Sequence, residues 1–414
     1  MQTSGEAYLK EEGFSMNTRE IMAQADQYVL HTYNRFPVVF DRGQGVRLYD
    51  TDGKEYLDFG AGIAVFALGY NDPEYTAALE DQMKKVIHTS NLFYNEPLAD
   101  AAKKVVDSCG MGKVFFTNSG TEAIEGALKT ARKYAWLRDK RTDHEIIAMN
   151  NSFHGRSMGS LSVTGNAGYQ DPFKPLIGGI RFADFNDLDS VKAQLSDRTC
   201  AIIMETVQGE GGIYPADPEF LKGIRKICDE RDILLILDEV QCGMGRTGSL
   251  WAWQSYGVQP DIMTCAKALG CGVPVGAFVV SERVAEHSLT PGDHGSTYGG
   301  NPLATRAVST VFDLFEKKNI VGHVQKITPY FEKKLDEMVE KYSCLTERRG
   351  RGLMQGLVVK DRPIGHVLRA ALDHGLVVLS ASSNVIRLVP PLVITEADID
   401  EMVEKLSAAL DETA

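Results

Sequence analysis

The feature that most constrains this chain is an alternation of short, apolar, β-prone runs with longer amphipathic stretches. The runs Val114–Thr117, Ile146–Met149, Ala201–Met204, Ile233–Leu237 and Ala277–Val280 are largely apolar and stop at polar or glycine-rich turns. A strand without polar alternation has both faces covered, as in a parallel sheet flanked by helices. Helical stretches such as Glu122–Asp139 and Pro218–Arg231 lie between the runs. The reading is an α/β fold with a mainly parallel sheet, and ligands in such sheets gather at the carboxyl ends of the strands.

The alternation occupies residues 75–315 of a chain of 414 residues, long enough for a large domain and a smaller one. Beyond residue 315 the character changes. A charged helix is expected over Pro329–Lys341, with Thr328 as N-cap and Pro329 in its first position, then short strands and a closing helix at Glu396–Leu410. Near the other end, Val46–Phe59 reads as a hairpin turning at Thr51-Asp52-Gly53. Residues 1–74 and 316–414 are therefore expected to form a smaller α+β domain, with 1–15 as a loose extension.

The formal net charge of −12 disfavours nucleic acid and acidic membrane surfaces as partners, although a local Arg cluster can still receive an anionic substrate. No apolar run is long enough to suggest a membrane span, and the polar N-terminus has no signal-peptide core. The seven cysteines are scattered without a C-x-x-C pair, which fits free thiols in a reducing cytoplasm and suggests no metal site.

Lys267 is the only charged residue between Asp261 and Glu282. A lysine among small apolar residues is costly unless paired or modified, and desolvation lowers its pKa toward that of an amine nucleophile. The bland alternative is a lysine whose amine reaches solvent from a strand end. Asp238 closes the apolar run Ile233–Leu237 and would hold the ring nitrogen of a pyridine cofactor, or else cap a helix. Gln241 could donate to the ring oxygen. The segment Phe115–Glu122 runs from strand to helix, and Gly120 and Thr121 sit where the helix offers free N–H groups to a phosphate. Phe153 could stack on a planar ring, and Arg156 could clamp a carboxylate. Arg387 lies in an apolar strand and needs a partner, either a substrate carboxylate or Glu210. Together these groups supply an amine nucleophile, a ring-nitrogen carboxylate, a phosphate cradle, a stacking aromatic and two arginines. That set points to pyridoxal 5′-phosphate as cofactor.

The motifs Asn118–Ala123, Phe153–Arg156, Asp238–Gly248, Ala266–Gly270 and His294–Pro302 resemble those of the class III aminotransferases, from about Asn17 to the last helix. The resemblance implies pyridoxal-phosphate fold type I, with a mainly parallel seven-stranded sheet in the large domain and a smaller α+β domain. It implies that Lys267 bonds to the cofactor and then moves a proton, that Asp238 and Gln241 contact the ring, that Phe153 stacks on it, and that Gly120 and Thr121 bind phosphate. Ser296 and Thr297 would reach the neighbouring subunit's site, Ser296 towards substrate and Thr297 to phosphate, in a homodimer with shared active sites. Arg387 would take the α-carboxylate of the amino acid, and Arg156 the distal carboxylate of 2-oxoglutarate or glutamate. Glu210 would switch onto Arg387 when the other substrate binds, and Tyr33 would lie near the substrate. Ile63 stands where members acting on free ornithine carry Tyr, which favours an acylated donor.

Overall fold

The expected apolar runs assemble into one seven-stranded sheet. The strand order in space is Lys113–Thr117, Gly276–Val280, Ile262–Cys265, Leu234–Asp238, Thr199–Glu205, Glu145–Met149, Ile180–Ala183. Gly276–Val280 runs antiparallel to both of its neighbours, and the other pairs are parallel. The computed structural model describes residues 16–414, so the expected extension at 1–15 lies outside the described residues.

The central strand shows why the runs lack alternation. Leu235 and Leu237 join one buried cluster, while Leu234 and Ile236 join the cluster on the opposite face. With both faces covered, every position of the strand is apolar until the ligand end, where Asp238 appears. Two strands are shorter than the sequence pattern resolves. Ile180–Ala183 and Ile262–Cys265 span four residues each, and the second leads directly into the turn of Lys267.

The chain ends share a sheet. Arg47–Asp50 and Glu55–Asp58 form the expected hairpin, and Leu376–Val377 adds to it in parallel beside Glu55–Asp58. A second small sheet has the order Leu345–Arg351, Met354–Val359, Val385–Leu388, Leu379–Ala381 and carries Arg387. The closing helix runs from Glu396 to Glu412, with Thr395 and Asp398 bonding each other's backbone at its start.

The helix expected at Pro329–Lys341 begins earlier, at Ile320, and Pro329 lies inside it. Thr328 is not its N-cap, since its hydroxyl donates to Val324 O within the helix at 2.7 Å. A proline in a helix interior costs about 3 kcal/mol or more through its missing N–H. Ile320, Val324, Ile327, Phe331, Leu335 and Met338 are all buried along one face. Each such side chain contributes roughly 1.5–3 kcal/mol on burial, so the face outweighs the break. All seven cysteines are free and buried. Among the described residues no helix is long and apolar enough to cross a membrane.

The helix Gly120–Asp139 approaches the sheet closely at Gly126, where a Cβ would stand 2.2 Å from the buried Phe278 ring. Gly126→Ala is expected to lower stability by about 1–3 kcal/mol through overpacking, despite alanine's better helix propensity. Urea unfolding measures this; an unchanged or raised midpoint would contradict the packing.

Candidate active site

A cavity of about 440 Å³ opens at the carboxyl ends of the central strands. Its wall includes Asn118–Thr121, Phe153–Arg156, Glu205, Asp238, Val240–Cys242, Lys267 and Gly272–Val275. These segments follow different strands, and the parallel register brings their ends together.

Lys267 follows the strand Ile262–Cys265 and opens a short 3₁₀ turn, with its backbone at φ +50°. Its Nζ makes no hydrogen bond or ion pair with any described residue; it opens on the cavity. Burial pushes its amine below the ordinary lysine range. The charge of Arg387 adds to this, while Glu210, Asp238 and Glu205 oppose it.

Asp238 is buried and has both oxygens engaged. Oδ1 accepts from Val240 N at 3.0 Å and from Thr264 Oγ1 at 3.2 Å, and Oδ2 lies 2.7 Å from His154 Nδ1. His154 is buried as well. Burial would lower its pKa, but the Asp238 carboxylate outweighs this and raises it. Its Nε2 is buried without a partner. The alternative of a helix cap for Asp238 therefore falls away, since its contacts orient a carboxylate at the cavity wall.

Glu205 stands directly beside Asp238 in the strand register. Its oxygens accept from Phe153 N at 3.2 Å and Gly209 N at 3.1 Å. Burial pushes its carboxyl up to about 7. His154 and Glu205 carry much of the site's electrostatics, yet the sequence alone assigns neither a role. A signal for Glu205 does exist, because it ends its strand as Asp238 ends the next one.

The turn before the helix Gly120–Asp139 also lines the cavity. Ser119 caps the helix by accepting from Glu122 N, which leaves the first-turn N–H groups of Gly120 and Thr121 unused by the helix. Thr121 Oγ1 bonds Ser157 Oγ at 2.8 Å. The turn packs closely at Gly120, where a Cβ would lie 3.0 Å from Val240 Cγ1. Phe153 and Tyr169 meet edge to face at 6.1 Å, and the Arg156 guanidinium lies 3.9 Å from the Tyr169 ring centre.

Arg387 is buried, and its Nη1 donates to Glu210 Oε1 at 2.5 Å and to Gln241 Oε1 at 3.1 Å. Of the two partners open to Arg387, Glu210 occupies the position here. Ser296 lies nearby, with its Oγ accepting from Gly299 N and Asn118 Nδ2. Thr297 is exposed and lies outside the cavity wall, as does Tyr33, which is 72% exposed.

These residues fit pyridoxal phosphate. The amine is unpartnered, a fixed carboxylate faces the same cavity, and the helix start offers donors suited to phosphate.

The chain matches the model of the family "Aminotransferase class-III" over residues 28–410. It is 48% identical to an acetylornithine aminotransferase of Clostridium acetobutylicum over 375 residues, covering 90% of this chain and 96% of that protein. Among solved structures it is similar to an ornithine aminotransferase of Toxoplasma gondii, with TM-score 0.92 and 30% identity over 96% of each chain. It is also similar to the N-acetylornithine aminotransferase of Stenotrophomonas maltophilia, with TM-score 0.81 and 37% identity, covering 94% of this chain and 98% of that one.

A carboxyl whose folded pKa lies above its unfolded value loses stability as pH rises through that interval. For Glu205 the interval runs from 4.5 to about 7. Each unit is worth roughly 1.4 kcal/mol. Glu205→Gln is therefore expected to flatten the fall of the urea midpoint of the cofactor-free protein across that range. A variant with the parent's slope would contradict the assignment.

Proposed function

The chain belongs to the class III aminotransferase family, and we propose that it moves the terminal amine of N2-acetyl-L-ornithine to 2-oxoglutarate. The products are N-acetyl-L-glutamate 5-semialdehyde and L-glutamate, a step of arginine synthesis. Its cofactor is pyridoxal 5′-phosphate. The observation that carries the reading is the Lys267 amine, held below its ordinary pKa and without a partner in the cavity that Asp238 lines.

When bound, the cofactor supplies an aldehyde that takes up amino groups and a ring that withdraws electrons. Lys267 would hold the cofactor through its amine, and Nζ, free of other partners, would be the base that accepts and returns a substrate proton. Its lowered pKa keeps a share of it neutral for both tasks. Asp238, fixed by His154, would hold the proton of the ring nitrogen. Gln241 would contact the ring oxygen, Phe153 would cover the ring and exclude water, and Gly120 and Thr121 would hold the phosphate.

Two substrates of different length use one cavity in turn. Glutamate places its α-carboxylate on Arg387 and its distal carboxylate on Arg156. Acetylornithine enters with its terminal amine foremost, and Glu210 then neutralises Arg387, the pairing present here at 2.5 Å. Ile63 suits an acylated donor over free ornithine.

A second copy completes the site. Leu92, Phe93, Tyr94 and Tyr298 are large apolar side chains left mostly exposed, consistent with a homodimer contact. Thr297 and Ser296 reach the partner's phosphate and substrate, and Tyr33 lies at that shared entrance. We assign residues 75–315 to the large domain, with 1–74 and 316–414 forming the small one, and place the enzyme in the cytoplasm with no nucleic acid or membrane partner.

Incubation of the holoenzyme with acetylornithine and 2-oxoglutarate is expected to yield semialdehyde and glutamate. Lys267→Ala is expected to lose at least 1,000-fold in kcat, on the scale of a nucleophile that also serves as general base. Semialdehyde absent while free ornithine or 4-aminobutyrate reacts well would overturn the substrate; full activity in Lys267→Ala would overturn the mechanism.

A further inference from the structure

The motif that begins with Asp238 continues through Gly243-Met244-Gly245-Arg246-Thr247-Gly248, and the reaction uses none of that second half. Arg246 is 2% exposed, one of the largest fully buried side chains. It forms no ion pair with any described carboxylate within 4.0 Å. An arginine buried without a carboxylate partner is a costly choice; carbonyls meet its Nη1, while Nη2 is buried without a partner.

Those carbonyls lie just beyond the ends of the strand that carries Arg387 and of its neighbour. Nη1 of Arg246 donates to Leu353 O at 3.1 Å and to Pro390 O at 2.5 Å. The Arg246 carbonyl accepts from Leu353 N at 2.9 Å, so that strand end is gripped twice. Leu353 immediately precedes the strand Met354–Val359, and Pro390 follows the strand Val385–Leu388 by two residues. The strands pair with Gly356 opposite Arg387. Gly352 permits the contact: at φ +59°, a Cβ there would lie 2.6 Å from Arg246 O.

Arg246 also springs from the loop that supplies Gln241, which accepts from Arg387 Nη1. One short segment of the large sheet thus holds Arg387 from two sides, at its head group through Gln241 and at its strand ends through Arg246. Asp58 lies near enough to favour the Arg246 charge but spends its own oxygens on Gly60 N, Ala61 N and Tyr70 OH.

We propose that Arg246 is a positioning residue that sets Arg387 at the height where it receives the α-carboxylate of glutamate and 2-oxoglutarate. The inference rests on the proposed role of Arg387. Because acetylornithine does not use Arg387, loss of Arg246 separates the two half-reactions, whereas general damage to the fold harms both.

Arg246→Met keeps much of the apolar volume and removes the donors; Arg246→Lys keeps the charge but offers a single-point ammonium in place of the planar fork. For Arg246→Met the 2-oxoglutarate KM is expected to rise about tenfold, on the scale of removing one positioning interaction, with the acetylornithine KM within about twofold of the parent. Arg246→Lys should fall between, and it is read in the same assay if Arg246→Met does not fold. Calorimetric titration of holoenzyme with glutarate, which has no keto group to react, should show the same weakening. An equal rise in both KM values, or no change in either or in glutarate binding, overturns the proposal. If Arg387→Lys leaves the 2-oxoglutarate KM unchanged, the role of Arg387 itself fails. If that variant raises it and Arg246→Met does not, only the positioning by Arg246 fails.

Discussion

A lysine amine partly desolvated and left unpartnered is the condition on which this structure depends. Lys267 sits in small apolar surroundings, and solvation would restore its ordinary pKa. Burial alone does not fix its position in the electrostatic field of the cavity. Arg387 pushes its pKa down, while Glu210, Asp238 and Glu205 push it up. The pairing of Glu210 with Arg387 therefore affects more than those two groups. Any change in the Arg387–Glu210 pair would redistribute the charges around the amine without Lys267 moving.

The sheet makes this field possible by geometry. Its parallel register aligns strand ends, so Asp238 stands between Glu205 on one neighbour and Thr264 on the other. The central strand Leu234–Asp238 is apolar until its final residue because both of its faces are covered, and polarity returns where the cavity begins. Close backbone approach then fixes the loops. A Cβ at Gly209 would meet Gln241 Nε2 at 2.4 Å, so a larger residue there would displace the Gln241 amide. A Cβ at Gly155 would meet Thr121 Oγ1 at 2.3 Å. The close approach at Gly155 and Gly209 keeps Thr121 and Gln241 in one compact cavity wall.

Much of this was legible in the sequence where a residue's cost was local. A charge isolated in an apolar run, as at Lys267, and a carboxylate ending an apolar strand, as at Asp238, stand out without neighbours. The hairpin at Thr51–Gly53 follows from turn chemistry alone. Less was legible where the third dimension decides. Pro329 reads as a helix start, yet a buried face from Ile320 to Met338 carries the helix through it. Ile262–Cys265 is not among the expected strands because four residues show no period, but its neighbours on both sides make it one. His154 carries no local signal of a role, because its partner Asp238 lies 84 residues away. Arg246 likewise declares itself only through what it touches.

The most direct measurement of the central claim is the site of the covalent bond between protein and cofactor. Borohydride reduction of the holoenzyme fixes a carbonyl–amine bond, and mass spectrometry of the digest locates it. The account predicts the pyridoxyl group on the peptide containing Lys267 and on no other lysine. A label on a different lysine, or holoenzyme that retains its cofactor with Lys267 unmodified, would contradict it.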